Sequence, residues 1–201
     1  MATLLEERVE LAGRTLSVLR PPDAEALLDE EAFEREEFLP YWAELWPSGL
    51  ALARHVSARH LSGLRVLELG CGLALPSLAA ALGGARALAT DWSPEAVALA
   101  GRNAGRNGLA LETRLVDWRR PGAILEERWD TVLAADVLYE RRNVGLLLDL
   151  LERLSVAGEI LVADPGRPAA EEFFTRARER WRVETEPDAT WPRVELHTLL
   201  R

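Results

Sequence analysis

The residues best equipped for chemistry in this chain are glycines and carboxylates set where apolar runs end. Val66, Leu67 and Leu69 form a short run of the kind a strand buried on both faces needs. Gly70 and Gly72 follow, and glycines there let the backbone turn sharply and lie against a ligand. Glu68 stands two residues before the first of them. A third glycine, required by the dinucleotide fingerprint, is replaced by Leu75, which weakens a nicotinamide or flavin reading. A P-loop is excluded because no lysine follows the glycines. Asp91 comes 21 residues after Gly70, the place where an acid faces the ribose hydroxyls of a nucleoside ligand. Asp117-Trp118 pairs an acid able to accept from an exocyclic amine with an indole, which suits an adenine pocket; a surface acid beside a packing tryptophan is the alternative. Asp136 and Tyr139 lie just past another apolar run, at the carboxyl edge where ligands bind in open α/β sheets.

These residues need a scaffold that alternates strands and helices. Residues 4–19 read as a hairpin turning at Ala12-Gly13 and ended by Pro21-Pro22. Asp23 is placed to cap a helix, and the acidic run Asp29 to Glu37 reads as a helical face, solvated or turned toward a basic substrate. Trp46-Pro47-Ser48-Gly49 reads as a helix start, with proline in the first turn and the helix running to Val56. Trp42 and Trp46 suit either a core or an aromatic wall over a ligand. Pro76 opens the helix after the glycine turn. The next strand is expected at 85–90, then a helix capped by Ser93 and closed by Asn103, Asn107 and Gly108. Further strands are expected at 111–116, 129–138 and 159–163, with a helix over 143–154 between the last two. Asp164-Pro165-Gly166-Arg167-Pro168 is a turn leading into a helix that ends at Arg180. Two last strands, 181–185 and 194–200, flank a loop at 187–192. The alternating order gives a single α/β domain, a Rossmann-like doubly wound sheet.

Composition narrows the function. Of 201 residues, 48% are apolar, enough for one sizeable core. No apolar run reaches the ~20 residues of a membrane span, and the first residues carry acids early, unlike a signal peptide. The net charge of −9 argues against a broad nucleic-acid or anionic-membrane footprint. Cys71 is the single cysteine, so no internal disulfide is available and a reducing cytoplasm is expected. His55, His60 and His197 form no metal-ligand spacing, and no metal is expected. All 24 basic residues are arginine; a GC-rich genome accounts for this, as does an enzyme that acts on lysine and must not modify itself.

Together the Tyr41-Trp42 and Trp46-Pro47-Ser48-Gly49 segments, Val66-Leu67-Glu68-Leu69-Gly70-Cys71-Gly72, Asp136-Val137-Leu138-Tyr139 and the Asp164 to Pro168 turn resemble class I, seven-stranded S-adenosylmethionine-dependent methyltransferases. Within these the chain is similar to the methyltransferase-like protein lysine methyltransferases, above all the group acting on the β-subunit of electron transfer flavoprotein. The resemblance covers residues 40–201, taken as the methyltransferase domain, with 1–39 as an N-terminal extension of hairpin and acidic helix. It implies a mostly parallel sheet whose last strand is antiparallel. It implies S-adenosyl-L-methionine as cofactor, with S-adenosyl-L-homocysteine as product, and no dependence on nucleic acid or membrane. Gly70 and Gly72 would pass under the cofactor's methionine end, with Glu68 also at the cofactor, Asp91 would hold the ribose, Trp92 and Trp118 would lie near the adenine, and Asp117 would bind its amine. Trp46 would border the pocket. Asp136 and Tyr139 would line the entrance for a substrate lysine, with Asp136 also at the cofactor. The extension carries no matching motif, so the protein partner is left open.

Methyl transfer from a sulfonium to an amine is an in-line displacement that rests on positioning and desolvation. It requires an amine without its proton, from a group with reference pKa of about 10.4. No covalent nucleophile is needed, and Asp136 is expected to position the amine or take its proton through water. Competing readings are a small-molecule N-methyltransferase acting on a nicotinamide-type amine, an inactive cofactor-binding partner protein, and an NAD-dependent oxidoreductase.

Overall fold

The computed structural model describes residues 4–11, 13–22 and 41–201. The expected helix after Asp23 and the acidic run to Glu37 lie outside the described residues. Strands β1 (Leu5–Leu11) and β2 (Arg14–Arg20) form an antiparallel hairpin, with Gly13 at φ +75° in its turn. A 3₁₀ turn at Tyr41–Ala43 leads into helix α1 (Pro47–Ser57), whose proline occupies the first turn, where its missing N–H costs no intrahelical bond. Then follow β3 (Arg65–Leu69), α2 (Leu75–Leu82), β4 (Arg86–Asp91), α3 (Pro94–Arg106) and β5 (Glu112–Leu115). Ser93 caps α3, its hydroxyl accepting from the Ala96 N–H at 3.2 Å. A 3₁₀ turn at Gly122–Leu125 stands where a crossover helix would otherwise join β5 to β6 (Arg128–Ala135). The chain closes with α4 (Arg141–Arg153), β7 (Ser155–Asp164), α5 (Pro168–Ala177), β8 (Arg182–Pro187) and β9 (Glu195–Leu200).

Seven strands form one sheet in the order β5-β4-β3-β6-β7-β9-β8. All neighbouring pairs from β5 to β7 are parallel, and β9 runs antiparallel to both β7 and β8. Successive strand residues feed opposite faces, as a sheet covered on both sides requires. Leu67, Val132, Ala134, Ile160 and Val162 pack toward α4 and α5, with Phe173 and Leu147. Val66, Leu133, Leu161 and Ala163 pack toward α1 and α2, with Leu52 and Leu78. The order reverses at β3, which has β4 on one side and β6 on the other, so a crevice opens beyond its carboxyl end.

The hairpin joins this core through Val9, Leu11, Leu16 and Val18. Two side chains one helical turn apart, one on α3 and one at its C-cap, serve as an artificial strand for β2. Asn107 Oδ1 accepts from the Ser17 N–H and its amide donates to the Ser17 carbonyl, each at 2.8 Å. Asn103 does the same for Leu19, at 2.8 and 3.2 Å. Some boundaries differ from the sequence expectation. β7 begins at Ser155 rather than Glu159 because its first residues pair with Arg128 and Trp129 of β6. Helix α5 ends at Ala177, three residues early, where Arg180 and Trp181 donate their N–H groups to the Ala177 carbonyl.

Candidate functional site

After Leu69 the chain turns through Gly70 at φ +66° and Gly72 at φ +51°. Backbone geometry and space both demand glycine here. A Cβ on Gly72 would lie 3.0 Å from the Trp42 carbonyl oxygen, and one on Gly70 would lie 3.0 Å from Val137 Cγ1. Asp91, at the end of β4, ties the turn in place. Its Oδ2 accepts from the Gly72 N–H at 2.9 Å and its Oδ1 from the Ser93 N–H at 3.0 Å. Burial raises the Asp91 pKa, and those backbone donors oppose the rise. Glu68 Oε2 accepts from the Ser77 N–H at 2.9 Å in the first turn of α2. It is 1% exposed, and burial pushes its carboxyl up to about 8 despite that bond, so it is largely protonated at neutral pH. Burial also drives the Cys71 thiol well above its ordinary value, with Asp91 and Glu68 adding to the effect, the reverse of what a nucleophile needs.

Trp92, 53% exposed, follows Asp91. Trp118 is half-buried beside the glycine turn, its ring 3.6 Å from where a Gly70 Cβ would stand. Asp117 is engaged by Arg119, whose Nε lies 3.0 and 3.1 Å from its two oxygens and whose backbone N–H donates to Oδ1 at 2.9 Å. That guanidinium holds the Asp117 carboxyl below the usual range.

Across the crevice, β6 ends and Asp136 takes a left-handed backbone at φ +56°, uncommon outside glycine. Its N–H still donates to the Ala163 carbonyl at 2.9 Å, so the β6–β7 pairing carries one residue beyond Ala135 before the chain turns. The side chain is 4% exposed, and its Oδ1 accepts from Arg167 Nε at 2.8 Å. The Tyr139 ring packs against Tyr41 with centroids 5.0 Å apart, and Tyr41 lies 6.1 Å from Trp46. The Trp46 indole N–H donates to the Tyr41 carbonyl at 2.7 Å, which closes this aromatic turn on itself. Burial, helped by the charge of Glu140, raises the Tyr139 phenol to about 12. Asp164 is also buried, and its carboxyl is pushed up to about 6.

One cavity of about 490 Å³ runs from the aromatic turn past the glycines to Trp118. Every site residue anticipated from the sequence lines it: Trp46, Glu68, Gly70 and Gly72 on one side, with Asp91, Trp92, Asp117, Trp118, Asp136 and Tyr139 around the rest. Glu44, Arg119 and Arg142 also line it and were not anticipated, nor were Arg167, which pairs with Asp136, and Asp164, although both of these sit in the Asp-Pro-Gly-Arg-Pro turn. What the sequence did not reveal is that this turn, at the end of β7, reaches the end of the neighbouring β6.

A lysine methyltransferase family model matches residues 39–180, from just before the aromatic turn to just past α5. The chain belongs to the lysine methyltransferase family. It is 35% identical over 135 residues to the electron transfer flavoprotein beta subunit lysine methyltransferase of Xenopus laevis, covering 64% of this chain and 53% of that protein. The human protein of the same name is 32% identical over 134 residues, covering 64% of this chain and 50% of its own length. The chain thus spans about half the length of the curated relatives it matches. The fold is that of class I methyltransferases: the 16S rRNA N2 G1207 methyltransferase of T. thermophilus superposes with a TM-score of 0.72 at 12% identity, covering the whole of this chain and 51% of that one.

S-adenosylmethionine is the cofactor of this fold and family, and the crevice fits it. A Cβ in the glycine turn would approach its neighbours to 3.0 Å, a buried carboxyl group closes the end of β4, and the volume is that of a small-ligand site.

Proposed function

We propose that this lysine methyltransferase family member transfers a methyl group from S-adenosylmethionine to lysine side chains of a protein substrate, with the β-subunit of electron transfer flavoprotein as the first candidate. The observation that carries this reading is the shared cavity: the Gly70–Gly72 turn and the Asp136–Tyr139 segment face one space from adjacent strands. Gly70 and Gly72 would hold the methionine end, Asp91 the ribose, and Asp117 with Trp92 and Trp118 the adenine. The bound cofactor supplies an electrophilic methyl group on a sulfonium.

The remaining work belongs to the chain. Tyr41 and Tyr139 give the aliphatic stem of a lysine an apolar wall and keep water from the amine. Asp136 aims the nitrogen. The amine sheds its proton to solvent at the mouth, since only the free base has the lone pair to react. The thiol of Cys71 and the buried Glu68 take no covalent part.

The test is calorimetric titration with S-adenosylmethionine and, separately, NAD, followed by transfer of tritiated methyl to recombinant electron transfer flavoprotein and to host lysate. Binding of S-adenosylmethionine alone, and label on a protein band that disappears in Asp136→Ala while cofactor binding persists, is the expected result. Label confined to small molecules would move the assignment to a nicotinamide-type amine. Binding without any transfer would make the chain an inactive partner protein, and binding of neither nucleotide would remove the assignment of the glycine turn.

A further inference from the structure

The carboxylate at the mouth of the cavity already has a cation. Arg167 Nε donates to Asp136 Oδ1 at 2.8 Å, and the Ser48 hydroxyl donates to Asp136 Oδ2 at a long 3.5 Å. Arg167 is held from behind as well. It is the N-cap residue of α5, and Asp164 Oδ1 accepts from the backbone N–H groups of Gly166 at 2.8 Å and Arg167 at 2.7 Å. In front, its guanidinium lies 5.5 Å from the Trp46 ring centroid. One side chain therefore joins the ends of β6 and β7 to the aromatic turn before α1. The other charged or titratable groups acting on the pair are Asp164 from β7 and Tyr41 from the aromatic turn, and Glu44, Asp91, Tyr139 and Arg142 line the same cavity.

This pairing resolves a conflict in the chemistry. A lone buried carboxylate attracts an alkylammonium and stabilises its proton, yet methyl transfer needs the free amine. A guanidinium on the far oxygen cancels most of that field. It leaves Oδ2 able to accept a hydrogen bond from an amine N–H. We propose that Arg167 is a positioning residue that neutralises Asp136, so that the site orients an amine without trapping it as an ammonium ion. The proposal rests on the N-methyltransferase reading of the cavity.

The test reads cation affinity directly. n-Butylammonium is titrated calorimetrically at pH 7 into the protein with and without saturating S-adenosylhomocysteine. Arg167→Gln is expected to bind this probe at least about tenfold more tightly than the wild type, the order set by removing one nearby charge. Arg167→Lys should recover most of that difference. With a protein substrate that the wild type methylates, Arg167→Gln should lower kcat and KM together, because the ammonium form binds better and reacts worse. Probe binding by Arg167→Gln that is equal to the wild type, weaker, or undetectable overturns the proposal.

Arg167→Gln leaves a buried carboxylate without its partner. Should thermal denaturation find that variant unfolded, Asp136→Asn is compared with Asp136→Asn/Arg167→Gln, where no lone carboxylate is buried. The double variant should then bind the probe at least about tenfold more tightly than Asp136→Asn, and equality overturns the proposal. Failure to bind S-adenosylhomocysteine would count against the methyltransferase reading instead, and the titration without cofactor still reads the pair.

Discussion

Gly72 shows how little freedom the glycine turn has. Its φ of +51° and the Trp42 carbonyl 3.0 Å from a would-be Cβ mean that even one methyl group must strain the backbone and push the aromatic turn away. Gly72→Ala is therefore expected to cost about 1–3 kcal/mol in chemical denaturation. In calorimetric titration the same variant should lose at least about tenfold in S-adenosylmethionine affinity. Glu68 makes a different prediction, because its carboxyl is already largely protonated. Its folded-state pKa of about 8 lies above the unfolded value of 4.5, so the stability it contributes is full below about pH 4.5 and is lost as pH rises toward 8. Glutamine keeps the acceptor for the Ser77 N–H and carries no charge. Glu68→Gln should match the wild type near pH 5 and become the more stable protein as pH approaches 8, as read from thermal midpoints across that range. A midpoint difference that stays flat with pH would mean that Glu68 is ionised throughout.

Between elements, the hairpin is attached to the domain by polar groups as well as apolar ones. Asn103 and Asn107 present amides at helical spacing, and β2 treats them as a neighbouring strand. Replacing both with alanine leaves the N–H and carbonyl groups of Ser17 and Leu19 without these partners. The double variant should lose about 2–4 kcal/mol. Hydrogen exchange should show the Ser17 and Leu19 amides losing protection while those of β3 and β6 keep theirs. Uniform loss across the sheet would mean instead that the hairpin and the domain unfold as one unit. The helix start at Trp46-Pro47 and the capping by Ser93 were legible in the sequence because a cap is a matter of neighbours in the chain. The start of β7 was not: Ser155 to Gly158 has no apolar alternation, and it is a strand because β6 lies beside it.

For the whole molecule, the absence of lysine has a consequence in any labelling experiment. A chain whose basic residues are all arginine offers no side-chain amine to its own site. Incubated with tritiated S-adenosylmethionine alone, the protein should show no label on its own band after electrophoresis, while a lysine-bearing substrate does. Label on the chain's own band would point to transfer at the α-amino group or at a residue other than lysine, and to a different amine chemistry.

The sequence by itself determined the order of strands and helices, the glycine turn and the carboxylates at strand ends. Each of these is written in local spacing: a buried strand needs a short apolar run, a sharp turn needs glycine, and residues at strand ends inherit the crevice that the topology creates. The gathering of Trp46, Gly70, Asp91 and Asp136 around one cavity followed from that order. Only the tertiary structure decided which polar groups meet. Asp136 and Arg167 are 31 positions apart, and β2 and Asn103 are 84 apart at Leu19. Gly72 lies against a carbonyl from the turn before α1. Pairings of this kind leave no period in a sequence, because they depend on where two strand ends come to rest and on which charge then finds its counterpart out of water.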